Sequence, residues 1–181
     1  MGNGIRLKCL REEGLDLEHL EKGQENFYSE EWEERAREVR QNTIENYSHV
    51  HDNIVLSYQV DICNKELKMI TEYSSASKKE ELVTITFTGV STHRFECVCG
   101  THHNMLNSIS QVRVDYFVDQ NREMLEDYLR GGAPIVSTSC EELKEYLKES
   151  GQKIFKIDAV VGLQGFVFAE EISIEVVNLK D

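Results

Sequence analysis

The sequence predicts an α+β protein: an antiparallel, curved β-sheet with an N-terminal helix and two short helices before a C-terminal hairpin. Three observations carry that expectation. Residues 56–73 alternate apolar and polar side chains on both sides of a central turn, the period of strands half-buried on one face. Residues 82–90 repeat the alternation, with Val83, Ile85 and Phe87 on one side and Thr84, Thr86 and Thr88 on the other. Residues 29–48 instead place Trp32, Ala36, Val39, Thr43 and Tyr47 on one helical stripe.

The hairpin sequence is LSYQVDICNKELKMITEY. With Asn64 and Lys65 as a two-residue turn, Ile62 faces Leu67, Val60 faces Met69, Tyr58 faces Thr71 and Leu56 faces Tyr73. Asp61 then meets Lys68 on the opposite face. A slip of one residue would turn one strand's apolar set to the wrong side, which disfavours that alternative. Asn tolerates the positive φ of the first turn position, and Lys at the second is less suited than Gly.

The remaining elements follow in order. Residues 1–28 carry Leu15, Leu17 and Leu20 between Gly14 and Gly23, and flexible ends are expected there. Ser29 caps the helix over 29–48, with Glu30 and Glu31 in its first turn, where carboxylates complement the helix dipole. The stripe is narrow, so the helix is expected to pack on the sheet surface, with presentation of Trp32 to a partner as the other reading. After residue 90 the strand resumes through His93 and Phe95, and Val112, Val114 and Tyr116 alternate as another strand. A helix over 121–130 closes on Gly131 and Gly132. Ser139 and Glu142 have capping-box spacing and open a helix stopped at Gly151. Residues 153–161 and 166–177 read as two strands joined across Gly162 and Gly165. No composition shift marks a boundary, so residues 1–181 are expected to form a single domain.

The chain has 181 residues, 40% of them hydrophobic and 29% charged, and a formal net charge of −13. An acidic surface repels phosphate and argues against nucleic acid as a partner. It suits a basic protein partner, and it also serves as plain solubilising charge. No apolar run reaches the roughly 20 residues that span a bilayer. The start, MGNGIRLKCL, has no signal-peptide core, and Arg6 stands where a myristoylation motif needs Ser or Thr. Five cysteines without a secretory signal predict reduced thiols and a cytoplasmic location.

One segment has the residue types of a metal site. Cys97, Cys99, His102 and His103 follow His93 closely, and thiolates and imidazoles are the ligands of tetrahedral zinc. His49, His51 and Asp52 could join them. Cys-x-Cys is tighter than the zinc-knuckle spacing, however, and an exposed turn with two incidental thiols accounts for the same residues. Phosphate-binding and nucleophile-elbow motifs are absent from the sequence. Cys140 lies at a helix start beside Glu141 and Glu142, whose charge opposes a thiolate, so it reads as a buried structural cysteine.

Residues 51–95 place a Val-Asp…Asn-Lys hairpin turn before an Ile-x-Phe-x-Gly-Val strand and a His-x-Phe step. With the later Glu-Glu-Leu-Lys-Glu-Tyr-Leu helix and Gly-Leu-x-Gly hairpin, the pattern resembles a group of small bacterial proteins, some similar to immunity factors encoded beside polymorphic toxins. The resemblance implies a non-enzymatic inhibitor that binds a toxin, and it transfers no active-site residue. Glu30, Glu31, Glu33 and Glu34 are the candidate partner contacts. The alternative is a metal-binding protein or metal-dependent hydrolase that uses the loop of Cys97, Cys99, His102 and His103, with zinc as its cofactor. The binding-protein reading needs none.

Overall fold

The computed structural model describes residues 30–75, 78–96, 104–135 and 137–178. The chain divides into two compact units, Met1–Gln41 and Asn42–Asp181. Helix α1 spans Glu30–Asn42. The second unit then runs β1 (Thr43–Tyr47), a 3-10 turn (Ser48–Val50), β2 (Ile54–Asp61), β3 (Glu66–Ser75), β4 (Lys78–Thr88), β5 (Thr92–Glu96) and β6 (Met105–Val112). Three short helices follow, α2 (Val114–Gln120), α3 (Arg122–Arg130) and α4 (Cys140–Glu149), and then β7 (Lys153–Val161), β8 (Gln164–Ala169) and β9 (Glu171–Asn178). Among the described residues no helix is long and apolar enough to cross a membrane.

The nine strands form one sheet in the order β5-β8-β7-β6-β2-β3-β4-β9, with β1 added on β6. All of its pairings are antiparallel. Two corners produce the curvature. Strand β4 passes into β5 across residues 89–91, and β8 passes into β9 across Glu170. The Glu170 amide donates to the Thr88 carbonyl at 2.9 Å and the Ser91 amide to the Phe168 carbonyl at 3.0 Å, so the corners stand side by side. Gly89 adopts φ +64 there, and a Cβ on it would lie 2.4 Å from the Glu170 side chain. Only glycine meets both demands.

Alternation then sorts the side chains into two cores. Val55, Leu67, Met69, Ile85, Phe87, Ile109, Phe155 and Val167 fill the concave side, where the Phe87 and Phe155 rings lie 5.4 Å apart. On the same strands Ile154, Phe166 and Phe168 point outward, against Phe117, Leu125, Leu143 and Leu147 of α2–α4. Strands buried on both faces read as continuous apolar runs, which is why 166–169 is Phe-Val-Phe-Ala. Each large side chain fully buried this way contributes roughly 1.5–3 kcal/mol against the entropy of ordering the chain.

The elements at β4, α3, α4 and β7 lie where the patterning puts them, and four others differ. The hairpin closes through four residues, 62–65, with Val60 opposite Leu67, Tyr58 opposite Met69 and Asp61 opposite Glu66. Its register is therefore two residues from the expected one, and Gln59, not Asp61, faces Lys68. A shift of two keeps every side chain on its own face, so alternation alone does not distinguish the two registers. The turn decides it. The Asp61 carboxylate accepts from the Asn64 amide at 3.0 Å and from Asn64 Nδ2 at 2.9 Å, and Lys65 takes φ +52. Leu56 sits in a bulge between Val55 and Ser57 and is exposed, as is Ile62 in the turn.

The first helix ends at Asn42, so Thr43 and Tyr47 belong to β1, paired with Val112 and Ile109. Trp32 is 57% exposed and Val39 45% exposed, against the buried stripe expected of them. Val114 and Tyr116 lie in α2, past the end of β6. Residues 166–177 form two strands with different partners: β8 on β7 and β9 on β4.

Candidate functional site

Cys97, Cys99, His102 and His103 lie outside the described residues. The flanking Asn104 is well anchored: its carbonyl accepts from the Val55 amide at 2.8 Å, and its Oδ1 accepts from the Leu163 amide at 3.1 Å. His49 and His51 are exposed on the turn before β2, with His51 Nδ1 3.1 Å from Asp52 Oδ2. Among the described residues, no three His, Cys, Asp or Glu side chains are grouped to hold a metal ion. Of the four glutamates singled out in the sequence, all stand in the first five residues of α1, and Glu33 and Glu34 are exposed. Cys140 is fully buried, its thiol donates to the Arg122 carbonyl at 3.7 Å, and burial pushes its pKa up.

The strongest charge feature of the second unit is the outer surface of α2–α4. The three helices pack their apolar sides on β7 and β8 and turn Asp115, Asp119, Glu123, Glu126, Asp127, Glu141, Glu142, Glu145 and Glu149 to solvent. Their cations are tied up in pairs. Arg122 reaches Glu141 at 2.7 Å and Asp119 at 3.0 Å, Lys144 reaches Asp119 at 2.6 Å, and Lys148 reaches Asp115 at 2.6 Å. Arg130 pairs with Asp127. The Lys144 and Arg122 hydrogen bonds hold the Asp119 carboxyl below its ordinary range, and Arg122 does the same to Glu141. At the start of α4, Ser139 Oγ accepts from the Glu142 amide at 3.2 Å. The Glu142 carboxylate caps one residue earlier than a capping box would, on the Thr138 amide at 2.7 Å and hydroxyl at 2.8 Å. Glu123, Glu126, Glu145 and Glu149 are left exposed with no ion pair among the described residues.

Beside this layer, a cleft of about 320 Å³ opens between α2–α3 and the strands β5, β7 and β8. Phe117, Met124 and Phe166 form its apolar floor. Its rim carries two internal ion pairs, Arg94–Glu96 at 3.0 Å and Lys156–Asp158 at 2.8 Å. Arg94 also lies over the Tyr128 ring, 5.8 Å from its centroid. Each cation already has its anion, so the cleft offers no net charge to a ligand. Gly165 lets β5 approach β8 here: its φ is +155, and a Cβ would fall 1.9 Å from the Arg94 carbonyl oxygen.

Fold and surface together define a class: a curved, open antiparallel sheet with an apolar core on each face and an acidic helical layer over the outer one. No family model, curated protein or solved structure matches the chain. The acids of α3 and α4 were absent from the sequence-derived contacts. The signal that marks them is the spacing of Glu141, Glu145 and Glu149 four residues apart along one helix face.

Proposed function

We propose that the protein is a non-enzymatic binding protein of the immunity type, which captures a basic partner protein on its acidic surface and blocks it. The observation that carries this reading is the unpaired acid on α3 and α4. Each cation on those helices is paired, whereas Glu123, Glu126, Glu145 and Glu149 stay exposed without an ion pair among the described residues. Charge placed this way steers a basic partner to the surface and raises the association rate more than it deepens affinity. The net charge of −13 extends the same field over the whole chain. The resemblance of residues 51–95 to immunity factors supports the same reading.

The test is co-expression with the product of the adjacent gene. The expected outcome is rescue of cell growth and a complex whose association slows as salt rises. The double change Glu145→Lys with Glu149→Lys should slow association by roughly tenfold or more at low ionic strength. Failure of the wild-type protein to bind or protect against any adjacent product would end the proposal.

A further inference from the structure

A second cleft, of about 410 Å³, lies at the end of the sheet where the β2–β3 turn meets the β4–β5 corner. Its size falls within the range of small-molecule sites. Val60, Ile62, Val90 and Pro134 supply apolar walls, and His93 and Tyr128 supply polar atoms. We infer that this cleft binds a small uncharged organic molecule, with an apolar body and one hydroxyl or carbonyl group that hydrogen-bonds to the imidazole of His93.

Four observations favour that occupant. First, the frame is rigid. Gln152, itself buried, donates from Nε2 to the Gly89 carbonyl at 2.9 Å and accepts from Ser91 Oγ at 3.0 Å. The Val90 amide donates to the Lys65 carbonyl at 2.8 Å, which ties the corner to the hairpin turn. Preorganised walls do not have to be ordered again when a ligand enters.

Second, the half-buried hydroxyls and the Asp61 carboxylate of the cleft are already paired, while the His93 imidazole is not. Tyr128 OH and Thr92 Oγ1 share a hydrogen bond of 2.7 Å, and the Asp61 carboxylate is held by Asn64. The His93 imidazole rests against the Phe95 ring, 5.3 Å between centroids, and neither ring nitrogen has a hydrogen bond among the described residues. A neutral imidazole presents one donor and one acceptor, which suits a hydroxyl or a carbonyl.

Third, burial lowers the His93 pKa, so the ring stays neutral near pH 7. Asp61 and Glu66 outweigh the single cation Lys65 in the lining and disfavour an anion, while the apolar walls do not repay the desolvation of an ammonium ion. Fourth, Ile62 is 85% exposed at the lip, an apolar side chain for which the fold has no use. A ligand in the cleft would cover it.

The probes are p-cresol and acetophenone, with benzoate and benzylamine as charged counterparts, titrated while the His93 ring and Val90 methyl resonances are followed by NMR. The uncharged pair should shift both groups along one saturable curve, and the charged pair should bind at least roughly tenfold more weakly. Val90→Phe fills the cleft and should abolish the shift of the His93 ring, with unchanged Val167 methyl resonances reporting an intact core. Ile62→Ser lies in an exposed turn and leaves folding intact; it should weaken binding several-fold. His93→Gln should weaken p-cresol several-fold. No saturable shift with either uncharged probe, equal response to benzoate, or unaltered affinity in His93→Gln would each overturn the inference.

Discussion

Asn53 Nδ2 donates to Thr71 Oγ1 at 2.9 Å, and both side chains are fully buried. The Thr71 hydroxyl passes the chain on to the Val83 carbonyl at 3.4 Å, and the Asn53 carbonyl accepts from the Leu106 amide at 2.9 Å. One residue ahead of β2 thus ties together β3, β4 and β6. Strand β2 itself pairs with β6 only at Ile54–Met105, so this polar pair braces the sheet where its ladder is thinnest.

That arrangement predicts a cost for an isosteric change. Thr71→Val keeps the shape but leaves the Asn53 amide nitrogen buried without an acceptor. The expected loss is about 1–3 kcal/mol, which lowers Tm by roughly 2–4 °C per kcal/mol in a chain of this size. Thermal and urea melts check it. A variant as stable as the parent would mean that Asn53 finds another partner.

Gly165→Ala strikes the β5–β8 ladder. The added methyl meets the Arg94 carbonyl oxygen, a backbone atom that can move only if β5 leaves β8. A residue with a side chain is also strained at φ +155, so the loss should exceed about 1 kcal/mol. Hydrogen exchange should show Thr92–Glu96 amides losing protection before those of β7. Uniform loss across the sheet would count against this local origin.

Lys65 is the one turn residue of the hairpin with positive φ, at +52. Left-handed backbone costs an L-residue about 1–2 kcal/mol, and glycine's greater freedom when unfolded returns about half of that. Lys65→Gly should therefore stabilise the protein by roughly 0.5 kcal/mol, because the contact made by the Lys65 carbonyl to Val90 is backbone only. A urea midpoint below that of the parent would refute the assignment of strain to this residue.

The same hairpin shows what patterning encodes and what it leaves open. The alternation of Val60, Leu67, Met69, Val83, Ile85 and Phe87 is visible in the sequence and all six face the concave core. Register is less visible, since a two-residue shift preserves every face, and the choice depends on the Asp61 carboxylate reaching Asn64. Thr43 and Tyr47 also satisfy helical spacing, yet the ladder with β6 claims them. Val114 and Tyr116 fit a strand by alternation, yet the chain turns into α2 once Phe117 finds Phe166 and Phe168. A contact local to the turn decided the first case and tertiary partners the other two, and periodicity holds no record of either. The acidic face of α4 was open to reading from Glu141, Glu145 and Glu149. The second cleft was not, because Val60, Val90 and His93 are brought together only by the corner.

Acid should destabilise the fold in two stages. Asp119 is lowered by its bonds to Lys144 and Arg122, Glu141 by Arg122, Glu142 by the Thr138 amide and Asp61 by the Asn64 amide. Each carboxyl binds protons less readily when folded than when unfolded. Its contribution is therefore complete above the ordinary carboxylate values of 3.8–4.5 and is lost as pH falls through the lower, folded value. His93, lowered by burial, has the same sign at higher pH: stability begins to fall just below the ordinary value of 6.5. Urea midpoints measured from pH 8 to pH 3 should be level at first, decline gently below 6.5, and drop more steeply in the carboxylate range. His93→Gln should remove the first decline and leave the second. Because these carboxylates are exposed, each contributes far less than a core side chain. Leu143→Ala, by contrast, opens a cavity under α4 and should cost about 2–5 kcal/mol at any of these pH values. A midpoint that rises on acidification, or a first decline that survives in His93→Gln, would contradict the assignment of these shifts to the folded state.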